Sequence, residues 1–192
     1  MKTTALIAVA GMAAVASAQT MTISWTVSDT GNGDGIIEPG ESALLTMSAD
    51  MNPGGDGFAG SIYDIIGTGN FDTGSVDSNV NHLNELTDDG QLQGNNDILL
   101  VESFQLPRAF NGNFDDSNPI DLYSITWTPS DYSARNVSGI TRHVNFSVYT
   151  DSFGTSVEYT GDVSGFSFDV VPAPASMALL GLGGLVAGRR RR

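Results

Sequence analysis

Between residues 21 and 170 apolar and polar side chains alternate with a period of two, the pattern of half-buried β-strands. Met21, Ile23, Trp25 and Val27 share one face, while Thr22, Ser24 and Thr26 take the other. Ala43, Leu45 and Met47 repeat the pattern, as do Val144, Phe146 and Val148. Further strands are expected over 59–66, 97–106, 122–128, 155–160 and 163–170. In the third of these Tyr123, Ile125 and Trp127 point together, so tryptophans from two different strands enter the core. Pro129 then ends that strand by withholding a ladder N–H. No part of the body sustains a 3.6-residue apolar period; the nearest is 80–92, where Leu83 and Leu86 fit one turn of a short helix. Eight strands joined by short Gly-, Asn- and Asp-rich connections predict an all-β fold, an antiparallel β-sandwich of immunoglobulin-like or jelly-roll type. Residues 67–96 are long, polar and only partly patterned, so they hold either a decorated loop or strands beyond the eight.

The two ends follow a different grammar. Lys2 precedes an apolar run over 5–15, and Ala16-Ser17-Ala18 places small residues at the positions that signal peptidase reads. This order predicts a signal peptide over 1–18, cut after Ala18, with the sandwich domain over 19–170. The tail, 171–192, opens with Val171-Pro172-Ala173-Pro174, continues as an apolar stretch over 175–188, and ends in Arg189, Arg190, Arg191 and Arg192. At about 1.5 Å per residue that stretch is shorter than a bilayer core of about 30 Å. A terminal block of arginines holds its edge on the cytoplasmic side, so the tail reads as a hydrophobic helix that inserts in the membrane as a transient tether rather than a lasting transmembrane span.

Those three parts together resemble the PEP-CTERM sorting signal of exported bacterial proteins, in a Pro-Ala-Pro variant similar to that of planctomycete-like bacteria. The family pattern most often has Glu where this chain has Ala173. The resemblance implies that an exosortase-like processing enzyme recognises Pro172, Ala173 and Pro174 and removes the tail. It also implies a membrane-inserted precursor, a final place at the cell envelope, cell surface or extracellular space, and an association with exopolysaccharide or other glycans.

Charge narrows the partners. All 22 acidic residues lie in the body, which keeps only Arg108, Arg135 and Arg142 against them, and the whole chain carries a net charge of −14. Such a surface repels phosphate backbones, so nucleic acid is not an expected partner. Cysteine is absent, and a body of this size needs no disulfide to fold.

The sharpest motif in the body runs from Asp29 to Glu41, where oxygen-bearing side chains alternate with glycine. Asp29, Asn32, Asp34, Glu38 and Glu41 have a spacing suited to a hard cation, Ca²⁺, although Thr30 stands where a strict EF-hand loop requires Asp. The same residues also suit a metal-free turn, with glycines at positive φ and Asn and Asp side chains capping their own backbone. Other acidic pairs, such as Asp88-Asp89 and Asp115-Asp116, read as solvated loops.

Catalytic parts are missing from the pattern. There is no Cys, only His82 and His143 offer an imidazole, and no Gly-x-Ser-x-Gly elbow surrounds a serine. No catalytic residue is assigned and the chain is not expected to be an enzyme. The reading is an exported, non-catalytic β-sandwich protein of the cell surface or matrix. Its alternatives are a calcium-assisted carbohydrate-binding module and a secreted hydrolase. The first requires Tyr63, Tyr132, Tyr149 or Phe153 to line one exposed face for sugar stacking. The second requires two carboxyls across a cleft, one with a raised pKa.

Overall fold

The computed structural model describes residues 20–52, 55–80, 87–160 and 164–173. The expected signal peptide, Leu83 and Leu86, and the tail from Pro174 onward lie outside them. Eleven strands are found among the described residues: β1 (Thr20–Asp29), β2 (Ile36–Ile37), β3 (Ala43–Asn52), β4 (Gly57–Gly69), β5 (Gly74–Val80), β6 (Gln91–Leu92), β7 (Ile98–Phe104), β8 (Ile120–Pro129), β9 (Arg135–Tyr149), β10 (Ser156–Thr160) and β11 (Gly165–Val170). They form two sheets. One runs β1-β3-β8-β5; the other runs β2-β11-β9-β4-β7-β6, with β10 also paired to β9.

All eight expected strands are present, and the fold is the expected β-sandwich. Three strands go beyond them. β5 and β6 lie in the stretch whose patterning was weak, and β2 lies inside the glycine-rich motif. β5 is an edge strand that pairs only with β8. Its one apolar residue among 75–79 is Val76, flanked by exposed Ser75 and Asp77, so too little of its surface is buried to leave an alternating signal. β2 and β6 are two residues each, too short for any period.

Both faces of the sandwich close on one core. Met21, Ile23, Ala43, Leu45, Met47, Tyr123, Ile125 and Trp127 from the first sheet meet Phe58, Tyr63, Ile65, Val137, Phe146, Phe166 and Phe168 from the second. On β1 the intervening Thr22, Ser24 and Thr26 are exposed, which is what the period of two dictates.

The tryptophans do more than fill volume. Trp25 Nε1 donates to Thr141 Oγ1 at 2.9 Å, tying β1 to β9 in the opposite sheet. Trp127 Nε1 donates to the Phe71 carbonyl at 2.9 Å, and its ring meets Phe168 edge-on at 5.2 Å. Each large ring thus has its one polar atom satisfied inside the core. Other buried polar groups do less well. Ser61 and Ser103 oppose each other in register on β4 and β7, both are almost fully buried, and neither hydroxyl has a hydrogen-bond partner among the described residues.

Two predictions follow from these contrasts, both read by denaturant unfolding of the exported protein. Trp127→Ala lowers stability by about 3–5 kcal/mol, as expected for loss of a fully buried large ring. Ser103→Ala has the opposite sign or none, because it removes a hydroxyl that has been taken from water without compensation.

Candidate functional site

The glycine-rich motif forms a closed loop between β1 and β3, and its geometry begins with Asp29. The last residue of β1, Asp29 is only 6% exposed. Its Oδ1 accepts the N–H of Gly31 at 2.7 Å and of Gly33 at 2.9 Å, and its Oδ2 accepts that of Gly35 at 2.8 Å. Asp34 accepts from the Ile36 N–H at 2.8 Å and from the Asn32 side-chain amide at 3.1 Å, while Asn32 Oδ1 accepts the Asp34 N–H at 2.9 Å. Glu41 closes the far side, accepting the Glu38 N–H at 3.0 Å.

Glycine is required for this path. Gly33 and Gly35 have φ of +80° and +78°, a region costly for residues with a Cβ. A Cβ at Gly31 would fall on the Glu41 carboxylate.

These contacts place the five expected cation ligands. Asp29, Asn32, Asp34 and Glu41 all bond to the loop itself, and Glu38 is half-buried beside them. Among the described residues no three His, Cys, Asp or Glu side chains gather around a point that would hold a metal ion. The contacts made by Asp29, Asn32, Asp34 and Glu41 cap the loop's own backbone amides.

The loop's product is a strand pairing. With Ile36 N–H tied to Asp34, Ile36 and Ile37 lie parallel to Asp169 and Val170 of β11, and Ile37 is fully buried. The Val171 N–H continues the pairing by donating to the Ile37 carbonyl at 2.9 Å. Pro172 follows, exposed, and then Ala173, half-buried. Pro174 and Arg189 to Arg192 lie beyond the described residues. The expected sorting element therefore begins one residue past the hydrogen-bonded edge of the sandwich, at the end where Asp29 and Arg135 also lie.

Arg135, which drew no role from its place in the chain, organises the neighbouring loop. Its guanidinium donates to Asp131 Oδ1 at 2.8 Å, to the Asp131 carbonyl at 2.8 Å and to Thr73 Oγ1 at 2.9 Å. Asp131 is four residues away, whereas Thr73 is distant in the chain and no spacing rule connects it to Arg135. Gln105 was missed for the same reason. Buried, it donates to the carbonyls of Phe58 and Asp115 and accepts the Asp115 N–H, holding the loop that follows β7.

The features sought for sugar stacking and for hydrolysis do not assemble. Tyr63 is fully buried, Tyr149 nearly so, and Phe153 is 75% exposed. Tyr132 is half-buried, with its hydroxyl donating to the Glu41 carbonyl. The four rings share no exposed face. A cleft of about 260 Å³ holds Asp72 and Asp97. Asp97, however, accepts from the Gly67 N–H and the Asn95 amide, each at 2.8 Å. Asp29, Asp131 and Asp151 are held below the usual carboxylate range, the reverse of what a catalytic acid needs.

For Asp29 the leading cause is the Gly33 N–H, then the Gly35 N–H, with burial opposing them. A carboxyl whose folded pKa is depressed stabilises the fold above its unfolded pKa, about 3.9, and loses that contribution as pH falls through the lower folded value. Asp29→Asn therefore lowers the melting temperature at neutral pH, and the gap to the unmodified protein narrows on acidification below about pH 4. Melting curves across pH check this; a gap that stays constant down to strong acid contradicts it.

Comparison with known proteins adds three findings. No curated protein matches the chain in sequence. In backbone the chain is similar to a chain of the CaDoc0917–CaCohA2 complex, at 13% identity and a TM-score of 0.47, over 76% of this chain and 97% of that one. It is also similar to the second type II cohesin module from the cellulosomal adaptor ScaA scaffoldin of Acetivibrio cellulolyticus, at 10% identity and a TM-score of 0.48, over 83% and 99% of the two chains. Neither score carries an inference about function. The third finding concerns the tail. Residues 170–192 match the PEP-CTERM protein-sorting motif, which begins at the last residue of β11, so the chain carries that sorting motif.

Proposed function

We propose that this chain is an exported, non-catalytic structural or adhesive module that its C-terminal tail delivers to the cell surface, where the sandwich makes contacts in the envelope or extracellular matrix. The sorting motif at 170–192 carries this reading, because it indicates an exported, surface-sorted protein. The sandwich supports it in two ways. Several of its carboxylates, Asp29 and Asp97 among them, are engaged by backbone amides of loops and strand ends, and its aromatic residues are spent mainly on the core. In this reading residues 1–18 are cut away on export, residues 19–170 form the working body, and the tail from 171 onward is handled by exosortase-type machinery while it engages the membrane. The acidic body favours neutral glycans or basic protein surfaces over anionic polymers.

Two measurements test the proposal. The intact mass of the protein recovered from a producing cell should lack residues 1–18 and most of residues 171–192. A mass that includes the whole tail removes the sorting reading. A calcium titration followed by calorimetry should show neither binding heat nor a melting shift at several millimolar, the range in which weak extracellular calcium sites fill. A saturable heat would instead support calcium binding, with Asp29, Asn32, Asp34, Glu38 and Glu41 as the candidate ligands.

A further inference from the structure

Resting on the sorting reading above, we propose that the base of the sandwich, centred on Ile36, is part of the surface that the sorting machinery grips. The argument is one of chain length. Val170 is buried as the last residue of β11, and Val171 is fixed by its N–H to the Ile37 carbonyl at 2.9 Å. Pro172 is the next residue, one Cα step of about 3.8 Å further on. A common way to take hold of an extended segment is to pair with its main chain. Here the preceding residues are already a paired strand. Whatever closes around the element must therefore stand against the sandwich itself.

The base presents a surface suited to such a contact. Ile36 is 41% exposed and pairs in register with Asp169, which is also exposed. Asp34 and Pro39 are exposed on the same loop. An apolar side chain ringed by Asp34 and Asp169 fits a partner surface with an apolar centre and a basic rim. The loop is also rigid before contact. Asp29 holds three of its amides, so little ordering entropy is lost on binding. The far end of the sandwich, where Thr20 pairs with Asn52, takes no part in this contact.

The test uses the full chain in a host that removes the tail, with the tail-free fraction followed by intact mass after a short pulse of synthesis. Ile36→Ser slows removal about fivefold or more, the loss expected when a central apolar contact is truncated. Phe153→Ser, which alters an exposed ring on the turn between β9 and β10, does not change the rate. A six-residue Gly/Ser spacer between Val171 and Pro172 leaves the body sequence intact and moves the element up to about 20 Å from the base. It slows removal as well, and it abolishes the further effect of Ile36→Ser.

Removal of the Ile36→Ser tail at the unmodified rate overturns the proposal, and so does a spacer variant processed as fast as the unmodified chain. Either result leaves the sorting reading standing. Retention of the tail in the unmodified chain overturns the sorting reading and this proposal together.

Discussion

One nearly buried carboxylate holds the base of this protein together. Asp29 collects the amides of Gly31, Gly33 and Gly35 and so fixes the path of the loop. That arrangement brings the chain round so that Ile36 and Ile37 lie beside β11. The C-terminal strand is then held on both sides, by β9 along one edge and by β2 along the other. Without the loop, β11 would be an edge strand at the point where the sorting tail begins, with unpaired backbone groups exposed.

The core is a separate, more conventional construction. Its two sheets meet through interlocked aromatic and aliphatic side chains, and Trp25 and Trp127 each send an N–H to a group outside their own sheet. These bonds add direction to an otherwise non-directional contact. They fix how the two layers face each other as well as that they touch. A sandwich built this way needs no disulfide, which agrees with the absence of cysteine.

The parts that could be read from the chain are those governed by local periodicity. Alternation at Met21 to Val27, at Ala43 to Met47 and at Tyr123 to Trp127 identified strands whose inward residues are indeed buried or packed against the core. The Asp29 loop was legible as a turn because glycine and short oxygen-bearing side chains have strong local preferences. Its consequence was not legible. The pairing of Ile37 with Val170 joins residues far apart in the chain, and two residues carry no period. β5 was hidden because an edge strand whose residues 75–79 hold one apolar side chain, Val76, looks like a loop. Arg135 and Gln105 act through distant partners, Thr73 and Phe58, that no spacing rule connects to them. Spacing alone does not separate the turn reading of this loop from the cation reading, because ligands for calcium and caps for backbone amides are drawn from one set of side chains.

Amide hydrogen exchange on the exported protein is the most direct test of the Asp29 account. The amides of Gly31, Gly33, Gly35 and Val171 should be protected in the unmodified protein. In Asp29→Ala all four should exchange rapidly while the amides of Met47 and Tyr123 in the central strands stay protected. Continued protection of Val171 in that variant would show that the C-terminal strand is held without the loop, and would contradict the account.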